Sequence, residues 1–444
     1  MAPQKSISEL AALIHDKTQT LEAGTKGQPG GDFSLAFTVP PATAQLDESL
    51  EAARHEIIEA TDELRARLLG PFAYMGSLGL PIAAILVIMD CLYSFDIASH
   101  VPTKPDEAIT YEDLAARCGM PLDDLRRVLQ TAAAFRIFEE VSPDVSVKHN
   151  GVSALFAVPM IKDAMSLLVK DNPNGARKFV ESVRRFPGSG EPGHSALMLA
   201  EREAKRISKD EDKVDAEIAD PTKGLFDFIA DDPARLARFR NTMGMATRAP
   251  GYAVTYFLDN VPWADASECP RRIVDVGGAG GDLSKQVLRR FAGVASAASV
   301  DLPEVTATAE TPADLEGRLR FLPYNFLAET MPYEADAYVF RHIFHDWSDQ
   351  YAVKIFRNLV PALKPGTRVW INEVVLPNLS AANHVGDQRQ RGADLLMKVG
   401  FNGKERSRSS WEAVLAEADP RLRIASITEP KGATDAIIEI VFDA

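Results

Sequence analysis

The 444-residue chain is acidic, with 63 Asp and Glu residues against 49 Lys and Arg residues and a formal net charge of -14. Such a charge repels phosphate backbones at long range, so the composition argues against nucleic acid as a partner. The length predicts two domains, and the hydrophobic content of 46% is typical of a globular protein. The three cysteines, Cys91, Cys118 and Cys269, have no zinc-binding spacing. They favour a reducing, cytoplasmic location.

Residues 1–45 predict a loosely packed arm, because "GTKGQPGGDFS" and "TVPPATAQ" are rich in residues that favour turns. The N-terminal sequence has no apolar signal core, which predicts that the protein is not secreted. From Asp47 the apolar residues follow a helical period, and this predicted helix ends at Gly70.

Pro71–Met89, "PFAYMGSLGLPIAAILVIM", carries no charge and is long enough to suggest a membrane span. Pro81 and two glycines interrupt the stretch, Asp90 closes it, and no Lys or Arg flank follows. We therefore expect no membrane span and predict a helix in the core or at a dimer interface.

A mainly helical domain is predicted for residues 46–225, and part of it has the pattern of a winged helix-turn-helix. Thr110 and Asp113 are typical of a helix start, and Gly119 is typical of a helix end. The second helix, "PLDDLRRVLQTAAAF", opens with two acidic residues, which do not suit contacts with base edges. We interpret this segment as a scaffold or dimerisation module.

Strand and helix patterns alternate from Arg271 onward, which predicts a doubly wound, mostly parallel α/β sheet in a domain spanning residues 226–444. The chain ends with "RIASITEP", "KGAT" and "DAIIEIVFDA". Two strands around a glycine-containing turn predict an antiparallel hairpin at the C-terminal edge of the sheet.

The glycine loop "DVGGAGGD", Asp275–Asp282, follows the first predicted strand of this domain. A GxGxxG count fails at Leu283 and no Walker lysine follows, so a phosphate-binding loop is not indicated. Asp301 closes the next strand, where a carboxylate can accept both hydroxyls of a ribose. A nucleoside without phosphates fits best, and S-adenosylmethionine is the common cofactor of that kind; a purely structural turn is the alternative.

"RHIFHDWSD" contains His342 and His345, which could bind a metal, move a proton or fill the core. Methyl transfer from a sulfonium needs no metal, but a hydroxyl acceptor needs alignment and removal of its proton. Glu373, near the end of a predicted strand, and Glu405, in "NGKERS", could fix the histidine tautomer and favour an imidazolium. A metal site formed by both histidines and Glu373 is the alternative.

Several motifs together resemble the plant-type, caffeate-like O-methyltransferases: the glycine loop, "DLP" at 301–303, "HDWSD" and "ALKPGTRVWINEVVLP". "PGSGEPGHSA" and "DLLMKVGFNGKERS" resemble the fungal branch of that family. The resemblance covers most of residues 45–444. It implies a Rossmann-like domain, an intertwined homodimer and a small-molecule acceptor, namely a phenol or enol of an aromatic or polyketide-like secondary metabolite.

The resemblance also implies residue roles. It makes His345 the general base and Glu373 and Glu405 its orienting partners. Asp346 is interpreted as a supporting residue, and Trp347 as a contact of the cofactor or of the wall of the site. It implies that S-adenosylmethionine is bound by Gly277, Gly281, Asp301, Leu302, Asn325, Phe326 and Arg341. Two positions depart from the family pattern: Ala279 replaces a usual glycine, and Asn325 stands where the family usually has an acid.

Other assignments remain open at this stage. His342 is expected to be structural, and Arg341 is nearly as well explained as an exposed structural residue. Met397, Phe401, Met243 and Met245 could line the acceptor pocket or could be plain core. One alternative function is a cofactor-binding enzyme with pericyclic or dehydration chemistry; another is a non-enzymatic winged-helix regulator that binds a small molecule.

Overall fold

The computed structural model describes residues 5–38, 44–208, 220–230, 232–247, 249, 251–265, 267–379 and 383–443. The described helices of four or more residues are α1 (Ile7–Thr25), α2 (Glu48–Ser94), α3 (Tyr111–Cys118), α4 (Leu122–Ala134), α5 (Gly151–Phe156), α6 (Pro159–Ser166), α7 (Asn172–Arg185), α8 (Ala196–Ser208), α9 (Leu225–Ala230), α10 (Pro233–Ala246), α11 (Val254–Asn260), α12 (Asp282–Arg290), α13 (Pro303–Thr306), α14 (Asp349–Leu359), α15 (His384–Phe401) and α16 (Arg408–Ala418). The strands are β1 (Ile109–Thr110), β2 (Glu139–Ser142), β3 (Ser146–Lys148), β4 (Arg272–Val276), β5 (Ser296–Asp301), β6 (Leu319–Pro323), β7 (Ala337–Arg341), β8 (Arg368–Glu373), β9 (Leu422–Thr428) and β10 (Ala436–Phe442).

The chain divides into two compact units. The first comprises residues 1–170, 238–242 and 380–389, and the second comprises residues 171–237, 243–379 and 390–444. The main division therefore lies after Lys170, whereas the sequence predicts a boundary between residues 225 and 226. The difference has a local cause, because α7 and α8 pack against each other within the second unit.

The N-terminal segment is more ordered than the predicted loose arm. It contains α1, whose start is fixed by a capping box in which the Ser6 hydroxyl accepts from Glu9 N and the Glu9 carboxylate accepts from Ser6 N. Leu10 and Leu21 are buried, and α1 packs against α2. The amphipathic pattern of α1 was missed because the glycine-rich stretch after it dominates the composition of the segment.

The long helix α2 begins at its Asp47 cap, as predicted, and its backbone leaves the helical region at Gly70, where φ is 67°. Beyond Gly70 the expectation of a core helix is wrong for the single chain, since Phe72 is 86% exposed and Leu80 is 81% exposed. Among the described helices α2 is the one long and apolar enough to span a membrane, and 6% of its apolar window is buried. Length and composition alone are weak evidence for a span, so the absence of one stays a prediction.

The predicted winged-helix elements are present in the first unit. The Thr110 hydroxyl accepts from Asp113 N at the start of α3, and Gly119 ends that helix with φ of 73°. The helices α3 and α4 are followed by the antiparallel pair β2 and β3, and β1 completes a sheet of order β1-β3-β2. The acidic start of α4, Asp123 and Asp124, is exposed.

The second unit contains a seven-stranded sheet of order β6-β5-β4-β7-β8-β10-β9. The first five strands are parallel, whereas β10 is antiparallel to both β8 and β9, which confirms the predicted sheet and its C-terminal hairpin. Alternate residues of each strand enter separate cores on the two faces, as Ile273 and Val274 do in β4. Because β4 lies between β5 and β7, its carboxyl end is the switch point at which such sheets bind ligands.

Candidate active site

The glycine loop follows β4 and makes a tight turn into α12. Gly277 and Gly281 have φ of 71° and 72°, values that favour glycine, and Gly281 N donates to Gly278 O at 2.7 Å. A Cβ on Gly277 would lie 2.3 Å from Ile343 Cδ1, whereas a Cβ on Gly280 would meet no heavy atom within 4 Å. The loop therefore has close packing on its inner side and open space at Gly280, which fits a ligand that approaches the backbone.

Two carboxylates flank this loop. Asp301 accepts from Ala279 N at 3.0 Å and from Leu302 N at 2.8 Å, and each oxygen retains a lone pair for a ribose hydroxyl. Asp275 is buried and accepts from the Ser284 hydroxyl at 2.9 Å, while burial raises the pKa of its carboxyl to about 6. Asp275 thus holds the loop against α12, and Asp301 is placed to contact a nucleoside.

Asn325 and Phe326 follow β6, as the resemblance implies. The Asn325 side-chain oxygen accepts from Leu327 N at 3.0 Å and from Ala328 N at 3.2 Å, so this oxygen caps a local turn. The Phe326 ring lies 5.9 Å from the Trp347 ring in an edge-to-face arrangement. One carbon of the Phe326 ring would also lie 4.0 Å from a Cβ built on Gly277, which brings this ring to the glycine loop.

Arg341, the last residue of β7, is not an exposed structural arginine. Its Nε donates to the Asn372 side-chain oxygen at 2.9 Å, and one Nη donates to Tyr252 O. Burial lowers the pKa of the guanidinium, and the charges of Asp435 and Asp275 oppose that change. Arg341 therefore adds a positive charge beside the loop and fixes the backbone of Tyr252.

His345 lies on a short 3-10 turn, Phe344–Asp346, that begins shortly after the end of β7. Its Nδ1 lies 2.9 Å from Glu405 Oε1, and its Nε2 lies 3.8 Å from Asp346 Oδ1. The predicted pairing of this histidine with Glu405 is thus present in the structure. An Nδ1–H donated to a carboxylate leaves the lone pair of the neutral ring on Nε2.

The charge of this imidazole is set by its surroundings. Burial alone lowers the pKa of His345, because an imidazolium loses solvation in the protein interior. The carboxylates of Asp346 and Glu405 outweigh this effect, and together with Glu373 they raise the pKa to about 10. Burial also raises the pKa of Asp346 to about 6. The cluster therefore stabilises a positive charge on the His345 ring.

Glu373, at the end of β8, contacts the backbone of the turn. Its Oε1 accepts from Ile343 N at 2.7 Å and from Phe344 N at 2.5 Å. Burial raises the pKa of this carboxyl to about 7, while the positive charge of His345 lowers it. Glu373 thus acts on His345 through its charge and through the turn that carries the ring.

His342 belongs to a separate pair. Its φ is 54°, its Nε2 lies 2.7 Å from Asp435 Oδ2, and its ring stacks on that of His345 with centroids 5.7 Å apart. Burial lowers the pKa of His342. The two histidines use different carboxylates, and no group of three or more potential metal ligands occurs among the described residues.

Aromatic side chains follow the turn that carries His345, and the second unit also contains a cavity. Trp347 lies 6.2 Å from the ring of Phe226, which in turn lies 5.4 Å from the ring of Phe401. A cavity of about 620 Å³ is lined by α15 through Asp394, Leu395 and Lys398, together with the following residues of the second unit: Gly188, Ser189, Gly190, Ser348, Asp349, Gln350, Arg391, Asn402, Gly403 and Lys404. The residues predicted to line the acceptor pocket, namely Met397, Phe401, Met243 and Met245, are not among the lining of this cavity, and their role stays a prediction.

Three residues that support the site were not predicted from the sequence. Asp394 accepts from Glu405 N at 2.9 Å, Asp435 pairs with His342, and Arg406 bonds to the turn that carries His345. Arg406 could have been found from its place beside Glu405 in "NGKERS". The other two could not, because they come from a helix and a turn that meet the site only in the fold.

A family model described as an O-methyltransferase domain matches residues 222–419. O-methyltransferase kk1A of Curvularia clavata is 30% identical over 447 residues, which cover 99% of this chain and 98% of that protein. A solved structure titled "A Pericyclic Reaction enzyme" has a TM-score of 0.71 at 20% identity, covering 98% of this chain and 100% of that one. The structure of OxaC in complex with SAH and oxaline has a TM-score of 0.75 at 18% identity, covering 98% and 99%.

The two solved structures show the fold alone at this identity, whereas the similarity to kk1A along nearly the whole chain shows the family. The descriptions of kk1A and of the family model agree with the glycine loop at the end of β4 and with the motifs that resemble plant-type O-methyltransferases. The chain is therefore a member of the O-methyltransferase family.

Proposed function

We propose that the chain transfers a methyl group from S-adenosyl-L-methionine to a phenol or enol hydroxyl of a small secondary metabolite, with His345 as general base. One observation carries this proposal: the 2.9 Å contact between His345 Nδ1 and Glu405 Oε1 leaves Nε2 as the basic atom of the neutral ring. The cofactor supplies a methyl carbon that is already activated by the positive sulfonium. What the protein must add is alignment and removal of the hydroxyl proton.

His345 Nε2 takes the proton from the acceptor hydroxyl as the oxygen attacks. Glu405 accepts the Nδ1–H and Asp346 lies beside Nε2, so the imidazolium that forms is stabilised by two adjacent carboxylates. Glu373 adds a third negative charge and fixes the turn through its two backbone N–H bonds. The site needs little reorganisation during this proton transfer, because the carboxylates are already in place.

The residues of the glycine loop fit a nucleoside. Asp301 would hold the ribose hydroxyls, and the open space at Gly280 would admit the cofactor against the loop. We assign Gly277, Gly281, Leu302, Asn325 and Phe326 to the same site and Arg341 to its support. The Ala279 departure does not block the loop, since its backbone N–H bonds to Asp301.

The first unit is proposed to form a homodimer through α2. The second half of α2, after Gly70, exposes a row of large apolar side chains, namely Phe72, Met75, Leu78, Leu80, Ile82 and Val87. A contiguous exposed apolar surface of this kind marks an interaction site in soluble proteins. A second copy of the chain would cover this row.

An enzyme that binds the same cofactor without transferring its methyl group is the competing function, because the fold is shared with a pericyclic reaction enzyme. Mass spectrometry of reactions with trideuteromethyl-labelled S-adenosylmethionine and a panel of phenolic and enolic polyketides separates the two. The proposal predicts an acceptor product that carries the label, with equimolar S-adenosylhomocysteine. Conversion of an acceptor without label would contradict it and favour the competing function.

A further inference from the structure

Arg406 follows Glu405 directly, and its side chain is completely buried in the second unit. Its Nη1 donates to Phe344 O and its Nη2 donates to Trp347 O, each at 2.7 Å. These two carbonyls bracket His345 and Asp346. The planar guanidinium therefore spans the turn and holds it at both ends.

Each nitrogen of the buried Arg406 guanidinium has a hydrogen-bond partner. Its Nε donates to Asp349 Oδ1 at 3.0 Å, and Lys404 Nζ binds Asp349 Oδ2 at 2.6 Å. The guanidinium carbon also lies 5.2 Å above the ring of Trp411. A buried arginine with two carbonyls, one carboxylate and an aromatic face has the partners that such a charge needs.

The other backbone groups of the turn have their own partners. Lys404 N donates to His345 O at 2.9 Å, and Glu373 accepts the N–H groups of Ile343 and Phe344. A Cβ on Gly403 would lie 2.1 Å from His345 O, so the segment before Glu405 packs directly on the turn. The turn is thus held through its N–H groups by β8 and through its carbonyls by residues 404 and 406.

We propose that Arg406 is a positioning residue of methyl transfer: its forked guanidinium joins the segment that carries Glu405 to the turn that carries His345, and so fixes the distance within that pair. This inference rests on the proposed role of His345 as base. Lysine cannot replace the fork, because a single ammonium cannot reach two carbonyls and a carboxylate in one plane. Small misplacements of a catalytic group lower rates by up to about 100-fold.

The test compares full-length Arg406→Lys with Arg408→Lys, in which the exposed arginine paired with Glu412 is changed in the same way. We expect Arg406→Lys to lower kcat at least about tenfold, while the Kd for S-adenosylhomocysteine, measured by calorimetry, changes less than about threefold because the glycine loop is untouched. We expect Arg408→Lys to match the wild type. Equal kcat values in the two variants would overturn the inference.

A second measurement reads the position of His345 without turnover. The Nδ1–H proton of His345 gives a strongly downfield NMR resonance when it is bonded to a carboxylate, and its loss in His345→Ala assigns it. We expect this resonance to shift or broaden in Arg406→Lys and to stay unchanged in Arg408→Lys. An unchanged resonance in Arg406→Lys would also overturn the inference.

The outcomes separate this inference from the proposed function. If the wild type transfers no methyl group but the resonance responds to Arg406→Lys, the proposed function fails and the positioning role stands. If Arg406→Lys does not fold, Asp349→Asn carries the test, because it keeps Arg406 but removes the negative charge that holds the Nε side of its guanidinium. We expect Asp349→Asn to lower kcat and shift the resonance in the same direction, and wild-type values for both would overturn the inference.

Discussion

The imidazole Nδ1 of His345 and the carboxylate Oε1 of Glu405 lie 2.9 Å apart although 60 residues separate them in the chain. One group follows the parallel strand β7, and the other lies between α15 and α16. Their contact fixes the ring tautomer, and Glu373 and Arg406 fix the turn that carries the ring. The site is therefore an imidazole surrounded by carboxylates, next to a glycine loop that fits a nucleoside.

The activity should rise toward alkaline pH. The pKa of His345 in the free protein is about 10, so at neutral pH most of the rings are imidazolium and cannot accept a proton. We expect kcat/KM for the cofactor to increase with pH up to about that value and then to level off. The rise of kcat with pH should occur at lower pH than the rise of kcat/KM, because the positive charge of the bound sulfonium disfavours the imidazolium and lowers the pKa of His345. Stopped-time assays across the alkaline range check this, and a flat profile would contradict it.

Removing one carboxylate should change the pH at which the activity rises, which is called here the alkaline limb of the pH profile. Glu405→Gln keeps a side-chain oxygen that can accept the Nδ1–H but removes a charge that raises the pKa of His345. We expect the alkaline limb to move to lower pH and the plateau kcat to fall about 10- to 100-fold, because the imidazolium is less stabilised. Glu412→Gln, on the exposed face of α16, serves as the matched control. A limb that stays in place in Glu405→Gln would count against the carboxylate cluster.

Two alanine substitutions in the glycine loop test its roles in folding and in ligand binding separately. Gly277→Ala places a Cβ at positive φ and against Ile343, and should lower the free energy of unfolding by about 1–2 kcal/mol. Gly280→Ala meets open space and should unfold like the wild type, yet bind S-adenosylhomocysteine at least about tenfold more weakly, because the new methyl group would meet the ligand. Denaturant titration and calorimetry check both values. Wild-type affinity in Gly280→Ala would place the ligand elsewhere.

The apolar row of α2 should determine the oligomeric state. Leu80→Asp puts a charge on a side chain that is 81% exposed in the single chain, so folding should be unaffected while association is weakened. Light scattering after size exclusion should show a dimer for the wild type and a monomer for the variant. Val141→Asp, at an exposed position of β2, should remain dimeric. A wild-type monomer at micromolar concentration would refute the dimer.

The sequence was most informative where a local pattern has one physical meaning. Apolar strands that alternate with helices predicted the parallel sheet, and Thr110 and Gly119 marked the ends of α3 because caps depend on a few neighbouring residues. The same logic failed for α1, whose short amphipathic pattern lies next to a glycine-rich stretch. It also failed for the second half of α2, because an apolar sequence does not reveal what covers it.

The site was predicted in its residue types and only partly in its contacts. The resemblance implied two orienting glutamates, but it did not reveal that Glu405 bonds to the ring while Glu373 bonds to the backbone of the turn. Asp435 was missed because its partner, His342, is 93 residues away in the chain. Tertiary contacts of that kind leave no periodic signal in the chain.

The most direct measurement is single-turnover methyl transfer by His345→Ala, with binding of S-adenosylhomocysteine as the control for folding. The account predicts that the rate of transfer falls by about 100- to 10,000-fold, the range for loss of a general base, while the Kd for S-adenosylhomocysteine stays close to that of the wild type. Wild-type transfer by His345→Ala would contradict the account.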